Sequence, residues 1–272
     1  MASNTIREQQ ARWARRAGWI PTEGYLTLKE NFFTPLSALS VRDLSCGDGG
    51  ELVTKNGRCK AEALHSSATL ACNFFDYWRG RDLSALAEVF GTEALCGLQF
   101  EVKFPTGFRG KAPNLDVVLF GRSGSILGIE SKFTEPFHGS KLKGFLKPKY
   151  FERPDTWATV GLPGCQHLAD DLRRDPNQFK LLDAAQLLKH MLGLASSGSP
   201  WRLCCLWYRP VGEAGDRHAT ELARFIARIG DDASRFSELS YQEAFRRLVV
   251  RLGSGDEAYR NYLADRYFND AG

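Results

Sequence analysis

The segment LDVVLFGRSGSILGIESKF, residues 115–133, sets three charged side chains into two apolar runs. Asp116 lies in the first run, Glu130 and Lys132 lie in the second, and the turn-forming GRSGS separates them. Burying a charge is costly unless it is paired or bound to a metal. Two carboxylates and an ammonium on neighbouring strands are the residue types that hold a divalent cation against a phosphate and hydrolyse a phosphodiester.

A turn centred on Ser123 would pair Phe120 with Ile126, Val118 with Gly128, and Asp116 with Glu130. Directly opposed residues have β-carbons about 5 Å apart. Asp116, Glu130 and Lys132 then share one face, because side chains two apart along a strand do. Leu115, Val117, Leu119, Leu127, Ile129 and Phe133 form an apolar back, and Gly128 would leave space beside the acids. Two unpaired carboxylates at that separation repel by about 3 kcal/mol at an effective dielectric near 20. A fold gains nothing from this unless a positive group sits between them. Lys132 can offset part of the repulsion and a divalent cation more. Mg²⁺ is commonly held by one or two carboxylates, water and substrate phosphate oxygens. A lysine beside it can position or deprotonate water, or neutralise phosphate as a point charge.

The surrounding elements must position this hairpin. An N-terminal helix is followed by a turn-rich stretch to about residue 60, with loops at GDGG (47–50) and a small hairpin at KNGR (55–58). HSSATLACNFFDYW (65–78) reads as a helix from the four-residue recurrence of Leu70, Phe74 and Trp78. Another helix follows in DLSALAEVF, and LQFEVKF (98–104) alternates as a half-buried strand. After the hairpin comes a long basic and aromatic connection, 134–174, ending in a short helix near HLADDLRR. Asp175-Pro176-Asn177-Gln178 carries a helix-start signature for a helix through FKLLDAAQLLKHMLGL. WRLCCLWY (201–208) is a strand, and the remainder reads as helical, with capping boxes at Ser240…Glu243 and Ser254…Glu257. This order predicts an α/β domain with helices covering a mixed sheet. It divides into a turn-rich extension (1–60), a core (61–210) with a basic insertion near 134–174, and a helical region (211–272) packed on the core.

Composition narrows the class. The chain has 272 residues, 43% hydrophobic and 25% charged, as in ordinary globular proteins. No apolar run reaches membrane-spanning length and no secretory leader is legible at the start, so neither a membrane partner nor export is expected. Seven cysteines show no CxxC spacing, and Cys204 and Cys205 look like small core hydrophobes, which fits a reducing cytoplasm. Cys46, Cys59 and His65 match no common zinc spacing. The net charge of +4 is uneven: residues 101–153 hold ten Lys/Arg against five acids, and the rest holds 26 against 27. A basic zone around the hairpin suits a polyanion or a solvated face. In FHGSKLKGFLKPKYFER (137–153), Lys141, Lys143, Lys147 and Lys149 alternate with Phe145, Tyr150 and Phe151. Those lysines suit phosphates while the aromatics stack on bases; a basic flap packed by its own aromatics fits equally.

Asp116 in NLDVV and Glu130-Ser131-Lys132 in GIESKF resemble the motif of the PD-(D/E)XK nuclease superfamily, the restriction-endonuclease-like fold. That family's core order, helix, three strands, helix, strand, matches residues 65–208. Pro113 stands three positions before Asp116 rather than one. GDGGEL, HSSATLACNFFDYW and ESKFTEPF are similar to stretches of a largely uncharacterised bacterial group, extending the likeness over about 45–208. The resemblance implies a nuclease dependent on Mg²⁺ or Mn²⁺, with Asp116 and Glu130 as metal ligands, Lys132 as the catalytic lysine, and DNA as the substrate. It also points to a further acid, for which Glu51 and Glu101 are candidates. Gln186 is similar to a glutamine on the helix after the motif. It shares a stripe with Asp183 and His190 that also suits a solvated helix face. His65 reads as a helix start rather than an acid–base group. A non-cleaving nucleic-acid-binding or assembly protein on the same fold, an RNA-directed nuclease and a homodimer remain compatible with these residues.

Overall fold

A computed structural model describes residues 2–47, 49–138 and 145–268. Its helices are α1 (Ala2–Arg16), α2 (Leu28–Asn31), α3 (Ala38–Cys46), α4 (Ser67–Phe75), α5 (Ser84–Val89), α6 (Pro163–Arg174), α7 (Ala184–Ala195), α8 (Glu213–Arg228), α9 (Tyr241–Val249) and α10 (Glu257–Leu263). Strands β1 (Leu95–Lys103), β2 (Asn114–Gly121), β3 (Ile126–Lys132), β4 (Trp201–Trp207) and β5 (Phe236–Ser240) form one sheet in that order. The first three strands run antiparallel, and β4 and β5 continue parallel to β3. The α/β fold with a mixed sheet flanked by helices, expected from the element order, is the observed one.

Each face of the sheet carries its own helices. On one, Ser131 hydrogen-bonds Tyr241 at 2.7 Å, and Tyr241 packs edge-on against Phe74 of α4. On the other, α7 approaches β3 closely, α6 packs against α7, and α8 packs against α6. The predicted hairpin register holds for Phe120↔Ile126 and Val118↔Gly128. Gly128, however, does not open space beside the acids. A β-carbon there would meet Leu115 Cδ1 at 2.6 Å and Leu194 Cδ1 at 3.1 Å. The glycine lets α7 seat against β3, so Gly128→Val should overpack the core by roughly 1–3 kcal/mol. Thermal unfolding would show this as a lower Tm, and an unchanged Tm would refute the packing role.

Three local expectations are corrected. Asp175 does not start a helix: α6 ends at Arg174, and α7 begins at Ala184 with Asp183 as its cap, accepting from Gln186 N at 2.9 Å. The reason is tertiary, since the Glu221 carboxylate of α8 takes the N–H groups of Lys180, Leu181 and Leu182 at 2.8–3.0 Å. Those amides are therefore unavailable to a helical turn. The C-terminal region is not wholly helical either, because FSELS forms β5. Ser240 does cap α9 through Glu243 N, but at the next helix it is the Gly253 amide that bonds Asp256, in place of a Ser254…Glu257 box.

The termini are bound together. Arg266, buried among aromatic rings, donates to Gln10 Oε1, Asn31 O, Asn31 Oδ1 and Tyr262 OH at 2.6–3.0 Å and lies over Trp13. One guanidinium thus links α1, the end of α2 and the segment after α10.

Candidate active site

Glu101, Asp116, Glu130 and Lys132 gather at one end of the sheet, where β1 and β3 end and β2 begins. The ladder between β2 and β3 stops at Val117↔Ile129, so Asp116 and Glu130 are not a regular pair as the turn arithmetic expected. Instead, Asp116 Oδ2 accepts the Ser131 amide at 2.7 Å. That amide lies between Glu130 and Lys132 in the chain, so the three side chains are still brought together.

Glu130 is almost wholly buried, at 1% exposure. Lys132 Nζ donates to Glu130 Oε1 at 2.6 Å and to Gln186 Oε1 at 3.0 Å. Gln186 therefore faces the site rather than solvent. One turn further along α7, His190 Nε2 sits 2.9 Å from Glu130 Oε2, oriented so that neither atom has a well-aligned hydrogen bond. His190 was missing from the expected site; its i, i+4 spacing from Gln186 was the available signal.

The electrostatics follow from burial and proximity. Burial raises the Asp116 pKa well above the usual carboxylate range, and Glu130 adds to the effect, against a partial opposing pull from Lys132. Burial would also raise that of Glu130, but Lys132 and His190 outweigh it and hold Glu130 below the ordinary value. For Lys132, burial favours the neutral amine; Glu130 and Asp116 more than reverse this, so the group is an ammonium.

The two supporting acids lie nearby. Phe100↔Val117 and Val102↔Leu115 pair on either side of Glu101 and Asp116. Glu101 adopts φ 53°, a left-handed conformation that costs a non-glycine residue of order 1–3 kcal/mol. Its carboxylate accepts from Asn114 Nδ2 at 2.8 Å, and burial raises its pKa, with Glu51 and Glu130 adding. Gly47 and Gly49 come close to the two acids: a β-carbon on Gly47 would lie 2.7 Å from Glu101 Oε2, and one on Gly49 only 2.8 Å from Glu51 Oε1. Glu51 also ion-pairs with Lys60 at 3.4 Å. His65 lies in the turn before α4, where Ser66 caps the helix, and it lines a surface pocket together with Glu51 and Lys60.

The residues fit a divalent cation held largely by water and substrate. Among the described residues, no three His, Cys, Asp or Glu side chains form a ready-made cage. The donor set is two hard carboxylates, which matches Mg²⁺ or Mn²⁺ better than a thiolate–imidazole zinc site. Glu130 Oε2 is buried without an aligned hydrogen-bond donor, with His190 Nε2 beside it at 2.9 Å.

The basic segment is only partly visible, because Lys141 and Lys143 lie outside the described residues. Lys147 is exposed, and Lys149 donates to Arg109 O at 2.6 Å. The expected base-stacking aromatics are mostly packed inward. Tyr150 is 3% exposed, Phe151 lies against Trp157 under Arg173, and Phe145 alone of the three stands out at 59%. No described helix is long and apolar enough to cross a membrane.

Searches of curated proteins and of solved structures found no match. A family model described as "REase-ARP: Restriction Endonuclease associating with ARP" matches residues 15–268. That match takes in the sheet, α7 and every described charged side chain of the site, and the chain belongs to the REase-ARP family.

Proposed function

We propose that the protein is a metal-dependent nuclease of the PD-(D/E)XK type that hydrolyses phosphodiester bonds in DNA with Mg²⁺ or Mn²⁺. The observation that carries this reading is the junction of Asp116 with the Ser131 amide, which sets its carboxylate beside Glu130 and Lys132. Asp116 and Glu130 would hold the cation, with Glu101 and Glu51 adding negative charge behind them. When bound, the ion acidifies a water and stabilises charge developing on the phosphoryl group. Lys132, held as an ammonium between Glu130 and Gln186, is suited to neutralise a phosphate oxygen and orient water rather than to abstract a proton. Lys141, Lys143, Lys147 and Lys149 would meet the substrate backbone. The protein would act in the cytoplasm, and a homodimer is compatible with the fold.

Incubation of plasmid and linear DNA, with RNA in parallel, tests the reading. Metal-dependent DNA cleavage, absent with EDTA, is expected. A second reading, a non-cleaving nucleic-acid binder, draws on the engagement of Glu130 by both Lys132 and His190. Salt-sensitive DNA binding with no cleavage in either metal would favour it.

A further inference from the structure

We propose that His190 is a positioning residue for the candidate metal site, fixing the Glu130 carboxylate in the orientation from which it would meet the cation. This rests on the nuclease reading and names the residue that sets the metal affinity of that site.

The argument begins with the register of α7 on β3. Gln186 Oε1 accepts from Lys132 Nζ at 3.0 Å, and His190 Nε2 lies 2.9 Å from Glu130 Oε2. A β-carbon on Gly128 would lie 3.1 Å from Leu194 Cδ1. Each step of four residues up the helix therefore matches a step of two residues back along the strand. The two repeats are commensurate: four helical residues rise about 6.0 Å, and two strand residues span about 6.6 Å. Side chains four apart share a helix face, and those two apart share a sheet face. Glu130 and Lys132 thus face a complementary pair, His190 and Gln186, on a single helix.

That helix is itself held in place. Asp183 caps its first turn through Gln186 N, and Trp157 Nε1 donates to Leu188 O at 2.9 Å. Gly193 sits so close to the chain after β1 that a β-carbon there would lie 2.6 Å from Phe104 O. A side chain on a fixed element can hold its partner to a defined geometry.

The hold matters because of how a carboxylate moves. Engaged by Lys132 at Oε1 alone, Glu130 could still turn about its terminal bond, whose torsion is broad. With His190 beside Oε2, both oxygens have a neighbour and that freedom is closed. Both side chains are 1% exposed, so bulk water cannot take the place of the imidazole. The two atoms lack an aligned hydrogen bond, and a turn of the ring in its slot would complete one. Packing alone does not account for a polar ring here, since an apolar side chain of similar volume would avoid the cost of desolvating it. Removing a group that orients a metal ligand from behind weakens metal binding by about 10–100-fold.

The test compares the full chain with His190→Phe, which keeps a ring but no polar edge, and His190→Gln, which returns an N–H donor. Leu188→Val, in the apolar core on the same helix, controls for loosened packing. Mn²⁺ affinity is measured by titration calorimetry without nucleic acid, unfolding by heating in EDTA, and cleavage over a Mn²⁺ series. His190→Phe should bind Mn²⁺ about 10–100-fold more weakly and approach wild-type cleavage only as Mn²⁺ is raised in proportion. His190→Gln should recover most of the affinity, and Leu188→Val should lower Tm with affinity unchanged. Wild-type affinity in His190→Phe, while the wild type binds and cuts, reduces His190 to core packing and leaves the nuclease reading standing. Tighter binding by His190→Phe also overturns the proposal, because His190 would then compete with the cation for Glu130. So does equal loss in both His190 variants, which would assign the effect to the volume of the ring. A wild type that binds Mn²⁺ without cutting loses the nuclease reading, and the calorimetry alone then decides the role of His190. A wild type that neither binds nor cuts removes both.

Discussion

Asp116→Asn should abolish DNA cleavage, by at least about 10³-fold, the scale of removing a principal electrostatic group from an active site. It should also make the metal-free protein more stable. Burial and the neighbouring Glu130 raise the Asp116 pKa above its unfolded value, so the native state keeps this proton after the unfolded chain has lost it. With more protons bound in the native state, stability falls as pH rises from about 3.9 through the raised native pKa. Asparagine removes that loss, so the gain in Tm should be larger at neutral pH than at the acid end of the window. Lys132→Ala should be equally inactive but opposite in stability. It strips the ammonium from Glu130 Oε1 and leaves a buried carboxylate with less compensation. Two inactive variants shifting Tm in opposite directions would be hard to obtain from general damage to the fold. Full cleavage by either variant would remove its residue from the mechanism.

Arg266→Ala should be the most damaging substitution away from the site, costing roughly 3–5 kcal/mol. The guanidinium is 3% exposed and makes four hydrogen bonds, to Gln10, Asn31 twice and Tyr262. Removing it strands buried amide and carbonyl groups at about 1–3 kcal/mol each, and deletes the cation over Trp13. At 2–4 °C per kcal/mol for a chain of this size, Tm should fall by about 10 °C. Arg266→Lys should recover little, because one ammonium cannot reproduce the planar fork. A change of only a degree or two would show that the termini are held by apolar packing alone.

Much of the fold was legible because its signals are local. Two-residue alternation marks β1, apolar runs around a turn mark β2 and β3, and four-residue recurrence marks α4. The hairpin register followed from the turn as far as Val117↔Ile129. What the sequence hid depends on distant partners. FSELS is a short, half-polar strand whose partner, Leu203–Trp207, lies some thirty residues earlier. Asp175-Pro176 carries the local features of a cap, but Glu221 captures the amides that a helix there would need. The same holds at the site. Asp116, Glu130 and Lys132 were readable as charges in oily strands, whereas His190 was legible only as a member of the Gln186 stripe, which suited a solvated face equally, and its place against Glu130 depends on the docking of α7. Tyr150 looked available for stacking, and only the packing of Phe108 and Trp157 shows otherwise.

The central claim is that a divalent cation binds between Asp116 and Glu130, and titration calorimetry with Mn²⁺ tests it most directly. Wild-type protein should bind Mn²⁺ with a measurable heat, and Asp116→Asn and Glu130→Gln should each lose that binding while remaining folded by circular dichroism. Binding of equal affinity in all three proteins would contradict the account.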